Sequence, residues 1–400
     1  MPMIDLDIDL SDEERRIRDL VHKFAAEVMR PAGIALDRLP DPEDVIAPQS
    51  ILWDVFKKHR ALGLDAYTDP NNDLTPVQRA RLRYIISEEM GWGDAGLAIS
   101  FGVATFPRML AQFSGRPELI ERFGSPELIG CWGGTEPSHG SDFITFADKI
   151  GTPEYGKPDC VARKDGDFFV INGQKSAWVS NGTIAAATAL FCAVDMGDGV
   201  KGTGGFIVPL DLPGASHGKP LDKIGQRALN QGELFFDDVR IPAEYLVIAP
   251  EMFAFGGDSV LAMANSGMGC LFVGLAQAAL DLAVDYAKQR VQGGVPIFQH
   301  QSVKARLFEM FRKVEAARSL ARRVMVYNAV NIPPQLHYAI ASKVTATQTA
   351  FEVASAALQI FGGNGLSREY PIEKILRDAR ASMIEDGCNE VLGLVAAERL

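Results

Sequence analysis

At 400 residues, 47% of them hydrophobic and 23% charged, the chain has the composition of a folded protein long enough for two or three domains. A formal net charge of -11 and no run of Lys and Arg argue against a nucleic-acid backbone as partner. The five cysteines (Cys131, Cys160, Cys192, Cys270, Cys388) never fall in a CxxC pair and the six histidines form no HExxH motif, which disfavours a zinc site and a disulfide framework and suits a reducing compartment.

The N-terminal stretch "MPMIDLDIDLSDEERR" is acid-rich where a transit peptide is acid-poor, and apolar runs such as "TIAAATALFCAV" are shorter than a bilayer requires. A cytoplasmic protein with no membrane contact is expected. Ser11 and Glu14 form a capping-box pattern, after which Ile17, Leu20, Val21, Phe24, Ala25 and Val28 recur at helical spacing until Pro31 is expected to stop the run. A second helix starts at Thr75 with Pro76 in its first turn and breaks near "GWGD", and "AGLAISFGVATFPRML" follows as a third apolar segment. Residues 1–129 therefore read as a helical N-terminal domain.

From about residue 130 turn residues crowd in and the apolar period shortens. Asp165-Gly166 and Asn172-Gly173 are hairpin-type signals between β-rich runs, and "GGFIVPLD" and "GELFFDDVRIP" read as further strands, giving a central β domain over 130–244. Long helical patterns fill 245–400. "SVLAMANSGMGCLFVGLAQAALDLAVDYAKQR" is apolar on most of its circumference, as expected of a helix packed on several sides. With "SVKARLFEMFRKVEAARSLARRVMVYNAV" and "LHYAIASKVTATQTAFEVASAALQIF" it makes a C-terminal helical bundle, so the fold class is α+β and multi-domain in the order helices, strands, helices.

Four segments carry chemistry. "WGGTEPSHGSD" (132–142) supplies glycines and hydroxyls that can approach an anionic or polar cofactor, although an interdomain turn needs the same residues. "KSAWVSNG" places Trp178 and Ser180 on one face of a strand, which suits a flat heteroaromatic ring as well as a core Trp. "QIFGGNG" permits either a helix cap or a close backbone approach to a ligand. In "MIEDGCNEV" the acids Glu385 and Asp386 precede Gly387 in apolar surroundings, where a carboxylate needs a partner or a purpose.

In this order, together with "INGQKSAWVSNG", "ELFFDDVRIP", "QR...PIFQHQ" and "RDAR", these landmarks resemble the acyl-CoA dehydrogenase family of flavoproteins along the whole chain. The resemblance implies a helical N-terminal domain, a central β domain, a C-terminal four-helix bundle, and FAD bound at a subunit interface of a homotetramer. It implies that Trp132, Thr135 and Ser141 line the flavin, its pyrophosphate and the substrate thioester, and that Trp178 and Ser180 lie against the isoalloxazine. Arg290, Gln292, Gln301, Gln359, Gly362 and Gly363 match positions that hold the adenine and phosphate half of FAD, mostly from a neighbouring subunit; Cys388 and Glu390 match the segment after the catalytic acid, and Gly387 a substrate contact. A guanidinium at Arg290 suits a pyrophosphate.

By the same resemblance Asp386 is the base that removes the α-proton of an acyl-CoA thioester while flavin accepts the β-hydride, and an electron-transfer flavoprotein takes the electrons. The common family residue there is Glu, and Ala264 stands where some members place their Glu on the long helix. Asn265 replaces a frequent Arg. The side chain at 386 is shorter by one methylene, about 1.5 Å, which points to a branched, cyclic or otherwise bulky acyl group. Two alternatives are a nitroalkane-oxidising flavoprotein of the same fold, which also uses Asp as base, and a non-catalytic flavin-binding subunit.

Overall fold

The computed structural model describes residues 9–69, 72–145, 158–197 and 199–400. The N-terminal region is built from α1 (Asp12–Phe24), α2 (Arg30–Asp37), α3 (Pro42–Ile46), α4 (Ile51–Ala61), α5 (Asp65–Thr68), α6 (Pro76–Gly93), α7 (Ala95–Ala104), α8 (Phe106–Ser114) and α9 (Pro117–Phe123). The Ser11–Glu14 capping box forms as expected, and a second one joins Thr75 and Gln78 at the start of α6. Pro31 does not end the first helix. A π-helical turn, Ala25–Met29, widens the backbone just before it and the chain stays helical to Asp37, because proline in the first turn of α2 needs no amide hydrogen. The apolar segment after α6 divides into α7 and α8, with Pro107 in the first turn of α8.

The central sheet is formed by β1 (Gly130–Gly133), β2 (Val161–Asp165), β3 (Phe168–Ser180), β4 (Ala187–Asp195), β5 (Val200–Pro209), β6 (Ala215–His217), β7 (Gln231–Pro242) and β8 (Leu246–Ile248). Its order is β6-β7-β3-β2-β4-β5-β8, with β1 beside β4; the β1–β4 and β2–β4 pairs are parallel and the others antiparallel. Asp165-Gly166 does turn the β2–β3 hairpin, whereas Asn172-Gly173 lies inside β3 at a bulge against β7. Two facts explain the difference. Asn172 Nδ2 donates to Asp238 Oδ1 on β7, at 2.9 Å, and a Cβ on Gly173 would meet the Cα of Cys160 at 2.7 Å, so glycine is required by close approach of another backbone.

The C-terminal region contains α10 (Phe253–Gln289), the short ladder of β9 (Val291–Gln292) and β10 (Val295–Pro296), α11 (Gln301–Val330), α12 (Leu336–Phe361), α13 (Ile372–Ser382) and α14 (Asn389–Ala397). Helices α10 to α13 pack as the bundle and α6 packs on α10 and α11. Part of α10 is long and apolar enough to cross a membrane, unlike the shorter runs considered from sequence; 72% of that stretch is buried within the protein. Close packing explains its composition: a Cβ on Gly91 or Gly274 would fall 1.9 Å from a backbone oxygen of the facing helix. Buried charges stitch the regions together. Glu88 of α6 lies between Arg318 and Arg322 of α11, and Lys374 of α13 bridges Asp94 at 2.6 Å and Asp378 at 2.5 Å.

Candidate active site

The turn between α13 and α14 carries Glu385 and Asp386. Asp386 and Gly387 are both left-handed, with φ of 51° and 92°, and a Cβ at Gly387 would strike Ile144 Cδ1 at 2.5 Å. Neighbouring elements hold this turn on several sides. Ser141 Oγ accepts from Cys388 N at 2.9 Å; Lys343 Nζ, from the middle of α12, donates to Gly387 O at 2.8 Å and to Asn389 Oδ1 at 2.9 Å; Asn265 Nδ2 of α10 reaches Asp386 O at 3.5 Å. The helical bundle and the 132–145 loop thus converge on the segment that the sequence singled out.

Asp386 is exposed, yet surrounding protein at longer range desolvates it and raises its carboxyl above the ordinary Asp value, with Lys343 opposing the rise. Its neighbour is not a solvated surface acid. Glu385 is half-buried, accepts from Gln226 Nε2 at 2.6 Å, and is pushed up to about 7, chiefly by burial and then by Asp386. Burial lowers Lys343 to about 8 against the opposing pull of Asp386, Glu385, Cys388 and Glu390.

The loop "WGGTEPSHGSD" is anchored to β3 by a buried ion pair. Lys175 Nζ lies 2.5 Å from Glu136 Oε1 and also donates to Phe191 O and Gly134 O, while Glu136 accepts from Asp159 N and Cys160 N. Ser176 N donates to Thr135 O at 2.9 Å. Trp132 is half-buried against Phe106 and Phe191, with ring centroids 4.8 and 4.5 Å away. Further along β3, Trp178 is 57% exposed and Ser180 half-buried on either side of buried Val179. Gln231 Nε2 contacts Trp178 O and Ser180 Oγ, each at 3.2 Å, and its Oε1 accepts from Lys223 Nζ at 2.7 Å.

The remaining candidates gather elsewhere. Tyr286 stacks on Phe361 at 4.0 Å, its carbonyl accepts from Arg290 N and its hydroxyl from Asn364 Nδ2, which joins the end of α10 to the "GGNG" turn after α12. Arg290, Gln292, Gln359, Gly362 and Gly363 are exposed in this neighbourhood, and Gln301 is exposed at the start of α11. Gln359 stands roughly 24 Å along α12 from Lys343 at the helical rise. One chain therefore presents two separate groups of candidates: Trp132, Thr135, Ser141, Trp178, Ser180 and the 386–390 turn at one place, and the Arg290–Gly363 set at another. Cys388 is half-buried and donates its amide to Ser141; Glu390 is exposed in the first turn of α14.

A flavin fits these residues. The indole of Trp178 offers a large accessible aromatic surface beside a hydroxyl, and among the described residues Arg290, Gln292, Gln301 and Gln359 make no side-chain hydrogen bond within the chain. Trp178→Ala is accordingly expected to weaken FAD binding, read by flavin fluorescence on titration, with little change in melting temperature. A fully buried Trp would instead cost about 3–5 kcal/mol of stability on truncation, and a large drop in melting temperature with unchanged affinity would identify Trp178 as a packing residue. Sequence reading missed Lys343, Glu136, Lys175 and Gln226. The signal available for Lys343 was a lone Lys inside the largely apolar stretch "AIASKVTA".

Comparison with known proteins identifies the family. Residues 131–239 match the family model of the acyl-CoA dehydrogenase middle domain and residues 259–400 that of its C-terminal domain. The chain is similar to the mitochondrial short-chain specific acyl-CoA dehydrogenase of Rattus norvegicus, 31% identical with 98% of this chain and 91% of the relative covered. It is 30% identical to the cyclohex-1-ene-1-carbonyl-CoA dehydrogenase of Geobacter metallireducens, covering 98% of each. The solved structure of butyryl-CoA dehydrogenase from Megasphaera elsdenii superposes with a TM-score of 0.84 at 28% identity, over 98% of this chain and 99% of that one. With helical ends around a mixed sheet, matching family models over its middle and C-terminal parts and relatives aligned end to end, the chain belongs to the acyl-CoA dehydrogenase family of oxidoreductases.

Proposed function

We propose that this protein removes the α and β hydrogens of an acyl-CoA thioester, with Asp386 as the base for the α-proton and FAD as the cofactor. The observation that supports this reading most is Asp386 itself, an accessible carboxylate on a left-handed turn whose next residues are bonded to Ser141 of the loop bearing Trp132 and Thr135. Desolvation makes the carboxylate a stronger base while its accessible surface leaves room for a substrate carbon. FAD, once bound, supplies the acceptor for the β-hydride. Trp178 and Ser180 would hold its ring, and Arg290, Gln292, Gln301, Gln359, Gly362 and Gly363 its adenine and phosphates, with Cys388 and Glu390 beside it and Gly387 beside the thioester.

The distance between the two residue groups favours completion of each site by a second copy of the chain, as in a homotetramer. The purified protein is expected to be yellow, with about one FAD per chain, and to lose assembly when FAD is stripped, because a ligand shared between subunits stabilises their association. Gel filtration showing a fully loaded monomer would overturn this arrangement. An electron-transfer flavoprotein is the proposed acceptor.

The shorter Asp favours a branched, cyclic or bulky acyl group over a linear one. Anaerobic titration of the bound flavin with linear, branched and cyclic acyl-CoAs tests both the reaction and this preference through bleaching of the oxidised flavin. Hydrogen peroxide formed from nitroalkanes, with no bleaching by any thioester, would assign the protein to nitroalkane oxidation instead.

A further inference from the structure

We infer that Lys343 is a positioning residue for the proton-abstracting turn, fixing the backbone that carries Asp386 and setting a buried positive charge against that turn. The inference rests on the reading of Asp386 as base. Lys343 lies in the interior of α12, where a Lys can be fully buried only if its ammonium is satisfied. Its side chain has no accessible surface, and its acceptors Gly387 O and Asn389 Oδ1 both belong to the segment just after Asp386.

Thr347, one turn further along α12, exchanges hydrogen bonds with the same Asn389 side chain, at 3.1 Å for Asn389 Nδ2 to Thr347 Oγ1. Asn389 N also donates to Met383 O across the turn, at 3.0 Å. Lys343 therefore closes a small network that holds residues 383–389 against α12. Among the described residues Lys343 is the cation that acts on Asp386. The groups acting on the ammonium are acidic or thiol, Asp386, Glu385 and Cys388 from the turn and Glu390 from α14, while the neutral amide of Asn265 on α10 reaches the Asp386 carbonyl. Lys223 is a second cation acting on Glu385.

The sign of the effect follows. A neighbouring cation favours the ionised form of a carboxylate, so removing it raises the carboxyl and delays ionisation to higher pH. The acidic limb of the pH profile for flavin reduction, where Asp386 must lose its proton before it can act, should move upward. A geometric loss adds to this at every pH, since a displacement of about 1 Å at a reacting group can cost roughly 100-fold in rate.

The test compares Lys343→Met, which removes charge and donor, with Lys343→Gln, which keeps a donor and removes charge. Both are measured as FAD-loaded protein by anaerobic stopped-flow flavin reduction across pH, and by amide hydrogen exchange of the 383–390 segment. Lys343→Met is expected to retain FAD, reduce flavin at least about 10-fold more slowly, shift the acidic limb up by about one pH unit or more, and exchange its 388 and 389 amides faster. Lys343→Gln is expected to show the same shift with less added exchange, and it carries the test if the Met variant does not fold. Wild-type pH dependence and exchange in a folded variant would overturn the inference. Asp386→Asn is run beside them: if it still reduces flavin normally, the base assignment fails, whereas the exchange data judge the positioning role separately.

Discussion

Asp386→Asn is expected to keep FAD, bind the thioester and lose flavin reduction by roughly 10²–10⁴-fold. The amide is nearly the same shape as the carboxylate and accepts a hydrogen bond, yet it cannot take a proton near neutral pH. The turn itself should survive the change, because its bonds run through the carbonyl of Asp386, the amide of Cys388 and the carbonyl of Gly387, none of which involves the carboxylate. Single-turnover reduction by an acyl-CoA, followed at the flavin absorbance, measures the loss. Near-normal rates would remove Asp386 from the role and make Glu385 the next candidate.

Glu385→Gln is the matching control. Because Glu385 is bonded to Gln226 and its carboxyl is pushed up to about 7, it exists in both protonation states near neutral pH. Its neutral amide should alter the pH dependence of flavin reduction more than its maximum rate, since the charge beside Asp386 disappears while the hydrogen bond to Gln226 can be kept. Asp386→Glu extends the carboxylate by one carbon. In a pocket shaped around a bulky acyl group, this longer base is expected to slow the native reaction and to improve turnover of linear acyl-CoAs.

Breaking the Lys175–Glu136 pair is expected to have the largest effect on stability. Both side chains are essentially inaccessible, so Lys175→Met leaves a buried carboxylate without its cation, a change that typically costs about 3–5 kcal/mol. The amides of Asp159 and Cys160 continue to donate to Glu136 and place the outcome toward the lower end. Combining Lys175→Met with Glu136→Gln should recover part of the loss, because no unpaired charge then remains; a double-mutant cycle in urea denaturation isolates this coupling. FAD content should fall in the single variant, since the pair ties the 132–142 loop to the strand carrying Trp178. Equal and additive losses in the two single variants would show that the pair contributes nothing specific.

Helix periodicity, capping boxes and the order of helices, strands and helices were determined by local sequence, because the spacing of apolar side chains and the chemistry of helix starts act within a few residues. The turn "EDGCNEV" was legible for the same reason: an acid next to glycine in an apolar stretch is a local anomaly. The fate of Pro31 and of Asn172-Gly173 was not local. The first depended on a π-helical turn formed where Gly93 packs on Ala25 and Met29, and the second on the approach of Cys160 and the bond from Asn172 to Asp238. Nor could sequence spacing decide the surroundings of the acidic pair. Gln226, Lys343 and Ser141 lie 159, 44 and 247 positions from their partners at residues 385, 387 and 388, and a carboxylate's basicity is set by whichever charges and amides tertiary packing brings within a few ångströms.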